Sequence, residues 1–182
     1  MTYNRILVPY DKCKAADKAL EHALMLAKSI QSKEVILVHV VAEILLPHMM
    51  ANYHLRSSRT GETISPHEYV KELYQEIKAN ALEMLENVKE KSQHAILSET
   101  TDEGRNKQVA VTPSPPRSIT KIRTKVLLGR PQDKILEFAR EEGVDLIVIG
   151  NVCLRGLSRA KALGSVSRDV AERATCPVII VH

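Results

Sequence analysis

Tryptophan is absent from this sequence and phenylalanine occurs once. So few rings leave no platform on which the bases of single-stranded nucleic acid could stack, so that partner is not expected. Cysteine is scarce as well. The three present are widely spaced and odd in number, which does not make a disulfide framework. No apolar run approaches the roughly 18 residues of a membrane span, and the opening Met-Thr-Tyr-Asn-Arg-Ile lacks the apolar region of a signal peptide. These absences lead us to expect a cytoplasmic protein with neither membrane nor nucleic acid as partner. Charge of one sign is in small excess, +4 over 182 residues, which fits an anionic small ligand and equally plain solubility. What remains is an ordinary apolar complement of Val, Ile, Leu and Ala, enough for one domain over residues 1–182 to bury a core.

Along the chain, Ile6-Leu7-Val8-Pro9 reads as a short strand, with Tyr10-Asp11-Lys12-Cys13 as its loop. Leu20, Ala23, Leu24, Ala27 and Ile30 recur at helical spacing. Val35 to Val41 is nearly continuously apolar, the pattern of a strand buried on both faces, as in parallel sheets. Residues 43–65 have weak periodicity and read as a loop or partly helical excursion. Ser65-Pro66 opens a second helix, with proline at its first position and an apolar face of Val70, Leu73, Tyr74, Ile77, Ala81, Met84, Leu85 and Val88. The pattern fades over residues 92–118, whose Gly, Pro, Ser and Thr suit a surface-running insertion. Arg117, Lys121, Arg123 and Lys125 alternate with Ile119, Ile122, Thr124 and Val126, predicting a third strand through Leu127 with charged outward positions. Gly129-Arg130-Pro131 turns into a third helix with Ile135, Leu136 and Ala139 inward, and Leu146 to Ile149 is a fourth strand.

Residues 150–167, GNVCLRGLSRAKALGSVS, connect that strand to a helix whose expected face is Val166, Val170, Ala171 and Ala174. Gly164 has no Cβ to hold a ligand away. The N–H groups of Ser165, Val166 and Ser167 would be unpaired at a helix start, which is how such a terminus holds phosphate. Arg155, Arg159 and Lys161 add positive charge. By spacing alone, a mobile connection whose glycines only permit turns fits as well. Val178 to Val181 is a last strand. Four βα units and a final strand imply an α/β fold with a parallel, doubly wound sheet. Its ligands bind beyond the carboxyl ends of the strands, where strand order reverses.

Arg5 to Asp11, Val38 to Val41, Gly129-x-Pro131, Asp145 to Gly150, Leu163 to Ser167 and Ala174 to Val181, in that order, resemble the universal stress protein family. The resemblance covers the chain except for the excursions near 43–65 and 92–118. It implies a Rossmann-like, five-stranded parallel sheet of order 3-2-1-4-5 with helices on both faces. It also implies an adenine-nucleotide-binding protein, taking ATP or AMP with or without Mg²⁺, that acts as a stress-linked regulatory or binding module. At most slow ATP hydrolysis follows, and no catalytic residue is assigned. By resemblance, Pro9 and Tyr10 line the pocket, Asp11 lies by the ribose and phosphates, and the backbone of Val40 reads the adenine edge. The family motif G-x2-G-x9-G-[ST] finds its first glycine in Gly150 and its last pair in Gly164 and Ser165, with Val166 and Ser167 continuing it. Cys153 stands in place of the middle glycine, with ten residues between it and Gly164 where the family has nine, and Gly156 is placed to assume part of its role. Lys12-Cys13 stands where the family commonly has Gly-Ser. The family also commonly dimerises through its last strand, here Val178, Ile179, Ile180 and Val181.

Against this stands a nucleotide-free dimeric scaffold whose pocket the departures at Cys13 and Cys153 have closed. Other classes lack their residues. No Ser-Gly-Gly-x-Asp-Ser loop follows the first strand, as a pyrophosphatase-type enzyme requires. No phospho-accepting Asp follows the third, as a receiver domain requires. His39 lies alone in a strand, where a hydrogen-bonded core histidine is the ordinary occupant, and His48, His54 and His67 lack ligand spacing. Cys13 and Cys153 would share one rim if strands 1 and 4 are neighbours. The plainer reading is two separate small residues, since the cytosol disfavours a disulfide.

Overall fold

The apolar runs Ile6 to Val8, Val35 to Val38 and Leu146 to Ile149 become strands because each is buried from two sides. The structure is a computed structural model that describes residues 3–44, 53–102, 120–151 and 163–182. In chain order its elements are β1 (Arg5–Pro9), α1 (Lys14–Ile30), β2 (Glu34–Val41), β3 (Leu55–Arg56), β4 (Thr63–Ile64), α2 (Pro66–Asp102), β5 (Lys121–Leu128), α3 (Pro131–Glu141), β6 (Leu146–Gly150), α4 (Ser165–Arg173) and β7 (Val178–Val181). The main sheet is parallel throughout and runs β5-β2-β1-β6-β7. Counting its own strands alone, that is the order 3-2-1-4-5.

Successive side chains point to opposite faces of a strand, and here each face has its own helices. Ile6, Val8, Val35, Leu37 and Val148 pack with Ala19, Leu20 and Ala23 of α1 and Met84 and Leu85 of α2. Leu7, Ile36, Val38, Ile147 and Ile149 pack with Ile135, Leu136 and Phe138 of α3 and Val170 of α4. In α4, Val170 is buried as the spacing predicted, but Ala171 is exposed and Ser167 takes the second inward position.

Register sets up the site. β1 and β2 pair from Arg5↔Glu34 to Pro9↔Val38, where β1 ends. On its other side β2 stays paired with β5 as far as Val41↔Leu128. His39, Val40 and Val41 therefore outrun β1 at the carboxyl end of the sheet. The reversal of strand order falls at the same end, between β1 and β6.

Two expectations for the excursions need correction. Part of the first is an antiparallel hairpin, Leu55 opposite Ile64 and Arg56 opposite Thr63. Its turn is tied by Ser57, whose Oγ accepts from the N–H groups of Arg59 and Thr60 and donates to Glu72. Paired strands of two residues are too short to show alternation. The second helix does not fade near residue 92 but continues to Asp102. Its start is fixed by a reciprocal cap: Glu68 N–H donates to Ser65 Oγ, and Ser65 N–H donates to Glu68 Oε2 at 3.0 Å. A capped helix propagates through residues of fair propensity without an apolar face to mark it.

At the amino-terminal rim, away from the strand ends just described, Arg123 donates to Glu142 at 2.6 Å and its Nε lies 3.3 Å from Glu34. That bond to Arg123 holds the Glu142 carboxyl below its ordinary range. Arg123 is thus committed within the fold, whereas Lys121 and Lys125 face outward. Among the described residues no helix is long and apolar enough to cross a membrane.

Candidate functional site

A cleft of about 430 Å³ opens where β1, β2 and β6 end, within the roughly 300–1,000 Å³ of small-ligand sites. Pro9, Tyr10 and Asp11 form one side, Val38, His39 and Val40 the next, and Gly150 with Asn151 the floor toward β6. Gly164, Ser165, Val166 and Ser167 close the far side from the start of α4. Every site residue expected from sequence lines this cleft except Cys153 and Gly156, which lie outside the described residues, as do Arg155, Arg159 and Lys161.

The first wall is built by the turn after β1. Asp11 Oδ1 accepts from Cys13 N–H at 3.2 Å, and Cys13 Sγ, at the N-cap of α1, accepts from Ala16 N–H. Cys13 is disulfide-bonded; the expectation that paired it with Cys153 on one rim falls outside the described residues. Cys176, a free thiol, lies at the other end of the sheet just before β7. Lys12, between Asp11 and Cys13, has φ 65°. This left-handed conformation costs a residue with a Cβ about 1–2 kcal/mol and suits the glycine common in the family there. Lys12→Gly should therefore stabilise the fold by about 0.5–1 kcal/mol, raising the melting temperature by roughly 1–4 °C. An unchanged midpoint in scanning calorimetry would mean that the Asp11 turn already offsets the strain. Tyr10 is buried, and its hydroxyl donates to Asp17 at 2.6 Å. Burial and that carboxylate push the phenol well above its ordinary range, so it stays a neutral donor.

The second wall is backbone. Tyr10 N–H donates to Val38 C=O at 2.8 Å, and Gly129 N–H donates to Val41 C=O at 2.9 Å. Backbone groups alternate sides along a strand, so the N–H and C=O of Val40 point, like those of Val38, toward β1. But β1 has ended there. The next rung would join Val40 N–H to the Tyr10 carbonyl. That carbonyl instead accepts from His39 Nδ1 at 2.8 Å. Val40 thus presents one donor and one acceptor, side by side, to the cleft.

The third wall is the start of α4. Its first intrahelical bond is Arg168 N–H to Gly164 C=O, 2.9 Å. The N–H groups of Ser165, Val166 and Ser167 precede that bond and make none of their own within the helix. Gly164 is the N-cap, with φ −63° and ψ 153°, a conformation open to any residue. Its backbone therefore does not require glycine. Gly164 N–H donates to Asn151 Oδ1 at 3.2 Å, and the buried Ser167 hydroxyl donates to Asn151 C=O at 3.2 Å. Asn151 thereby joins the end of β6 to the start of α4. The sequence reading passed over it and saw no site role in His39. Their places follow from register, which no motif spacing records.

Gly150 lines the cleft for a reason of its own. A Cβ there would lie 2.6 Å from the carbonyl carbon of Ala15 and 2.8 Å from Ala16 N. The first turn of α1 rests directly on the end of β6.

Several known proteins resemble this chain. The universal stress protein YxiE of Bacillus subtilis is 33% identical over 181 residues, 99% of each chain. The universal stress protein MJ0577 of Methanocaldococcus jannaschii is 28% identical over 98% of this chain and 94% of its own, and its solved structure covers the whole of this chain and 96% of its own at a TM-score of 0.65. A universal stress protein solved in complex with cAMP has the same fold, with a TM-score of 0.59 at 20% identity over 100% of this chain and 98% of its own. The sequence description of the universal stress protein family matches residues 2–182. With its strand order and its cleft at the reversal point, this chain belongs to the universal stress protein family.

Proposed function

We propose that the chain is an adenine-nucleotide-binding module, taking AMP, ADP or ATP in the cleft at the ends of β1, β2 and β6. The observation that carries this reading is the paired donor and acceptor of Val40 at the end of β2, with the unpaired N–H groups of α4 across the same cleft. An adenine edge offers an acceptor ring nitrogen beside an exocyclic amine, which complements one backbone N–H and C=O. Phosphates suit the helix start, where N–H groups and the dipole favour negative charge. Asp11 stands between the two, beside the ribose and the first phosphates. Among the described residues no group of three or more His, Cys, Asp or Glu could hold a metal ion. Mg²⁺ would enter on the phosphates, with Asp11 as a nearby carboxylate. The scaffold reading needs the pocket filled at Cys13 and Cys153, and Cys153 lies outside the described residues.

The test is direct. Protein purified without added nucleotide is denatured and the supernatant examined by mass spectrometry, then stripped protein is titrated with AMP, ADP and ATP in a calorimeter. Released adenine nucleotide, or saturable binding of one of the three, supports the reading. Failure of both at millimolar nucleotide sinks it.

The same proposal includes a homodimer through β7. That strand ends the sheet, and Ile179 on it is 42% exposed. An apolar edge with unpaired backbone groups invites a second strand, and a two-fold related copy supplies one. Sedimentation at micromolar concentration should give a dimer, and Ile179→Lys should shift it to monomer by placing charge on the seam. A monomeric unsubstituted protein would count against the edge as an interface.

A further inference from the structure

We infer that His39 is the positioning residue that keeps Val40 available to ligand. The two strands are in register for one more rung than they make. Tyr10 N–H donates to Val38 C=O, and continuing the ladder would bring Val40 N–H to the Tyr10 carbonyl. That carbonyl accepts from His39 Nδ1 at 2.8 Å and makes no bond to Val40 N–H. A carbonyl can only accept, so Nδ1 carries the proton and His39 is the donor. His39 is half-buried and lines the cleft, while the Tyr10 side chain is buried below. The imidazole stops the β1–β2 ladder one rung early. It satisfies the first carbonyl beyond β1, that of Tyr10, from a side chain, and so leaves Val40 N–H, the donor the register places next to it, for the cleft.

Removing the imidazole should let the ladder close. A buried carbonyl left unpaired is costly, and Val40 N–H is the donor the register places next to it. In His39→Leu the Tyr10 carbonyl captures that N–H, and the cleft loses the donor half of the Val40 pair. His39→Asn keeps it open, because the Asn amide nitrogen sits where Nδ1 does. Should His39→Leu fail to fold, His39→Gln serves instead, since its amide nitrogen corresponds to Nε2 and overreaches the Tyr10 carbonyl.

The decisive measurement needs no ligand. Amide hydrogen exchange followed by NMR on the full chain should find Val40 exchanging at least about a hundredfold faster than the ladder residue Val38. In His39→Leu, Val40 should slow by about tenfold or more, and in His39→Asn it should match the unsubstituted protein. A merely structural histidine would loosen the region and speed exchange instead. A Val40 amide already protected in the unsubstituted protein, or not slowed in His39→Leu, overturns the inference. The second arm rests on the nucleotide reading. ATP affinity should fall about tenfold in His39→Leu with reduced preference over GTP, and recover in His39→Asn. Equal affinity and preference despite a captured Val40 amide would overturn the ligand side of the inference. If the unsubstituted protein binds no adenine nucleotide, the proposed function fails, while the exchange pattern still decides the role of His39.

Discussion

Gly164→Val is expected to weaken adenine-nucleotide binding at least about a hundredfold, a loss of some 2.7 kcal/mol or more, while the fold persists. The argument begins with what the substitution does not disturb. Gly164 sits at φ −63° and ψ 153°, extended backbone that β-branched residues adopt readily. Its N–H to Asn151 and its C=O to Arg168 are main-chain bonds that valine can also make. Losing glycine at an N-cap costs roughly 1 kcal/mol, which lowers the melting temperature of a chain this long by about 2–4 °C. What changes is the approach to Ser165, Val166 and Ser167. An anion held by those N–H groups must come within hydrogen-bond distance of the main chain, and a branched Cβ at the N-cap stands in its path. Calorimetric titration with ATP, alongside a melting curve, separates the two effects. Unchanged affinity would move the phosphates elsewhere. Lost affinity with a collapsed melting curve would show that the residue serves the fold.

This prediction depends on where legibility in the sequence stopped. β1, β2 and β6 could be read because two-sided burial demands unbroken apolar runs, as in Val35 to Leu37 and Leu146 to Ile149; β7 could be read from its apolar run alone, though Ile179 on it is exposed. Their order could not be read so, since periodicity does not say which strand lies beside which. It came from the family resemblance, and the pairing of β1 with both β2 and β6 agrees with it. α2 was cut short because residues beyond 92 show no helical stripe, though the helix runs through them from its Ser65–Glu68 cap. That Ser-x-x-Glu spacing was the available signal. At the site, Pro9, Tyr10, Asp11, Val40 and the Gly164 turn were legible as positions. The opening at Val40 was not, because it exists only where β2 outruns β1. His39 was expected to be a hydrogen-bonded histidine, and it is one. Its consequence for the neighbouring amide becomes visible only when the partner is known to be the Tyr10 carbonyl.

Gly150 shows how a fold can demand a glycine for a reason its motif does not name, and it carries the largest expected effect on stability. The motif reading put it at the phosphates. In the fold it does line the cleft, but its missing Cβ is demanded by α1. In Gly150→Ala the added carbon would meet the Ala15 carbonyl carbon at 2.6 Å, its oxygen at 2.7 Å and Ala16 N at 2.8 Å. These are main-chain atoms in the first turn of a helix, so no rotamer change relieves them. Either the end of β6 or the start of α1 must shift. Neither is loose: Ala16 and Ala19 are buried against the sheet, Ile149 is buried beside Gly150, and Gly150 itself is paired with Val181 of β7. Overpacking of a tight core typically costs 1–3 kcal/mol, and contact with backbone places this case near the upper end, at about 3 kcal/mol. For a chain of this size that is a fall of roughly 6–12 °C in the melting temperature. The displaced turn also carries Cys13 and Ala16, which line the cleft, so ligand affinity should fall with stability, whereas Gly164→Val separates the two. A melting temperature within a degree or two of the unsubstituted protein would show that α1 can lift from β6 at little cost, and that the glycine serves the ligand after all.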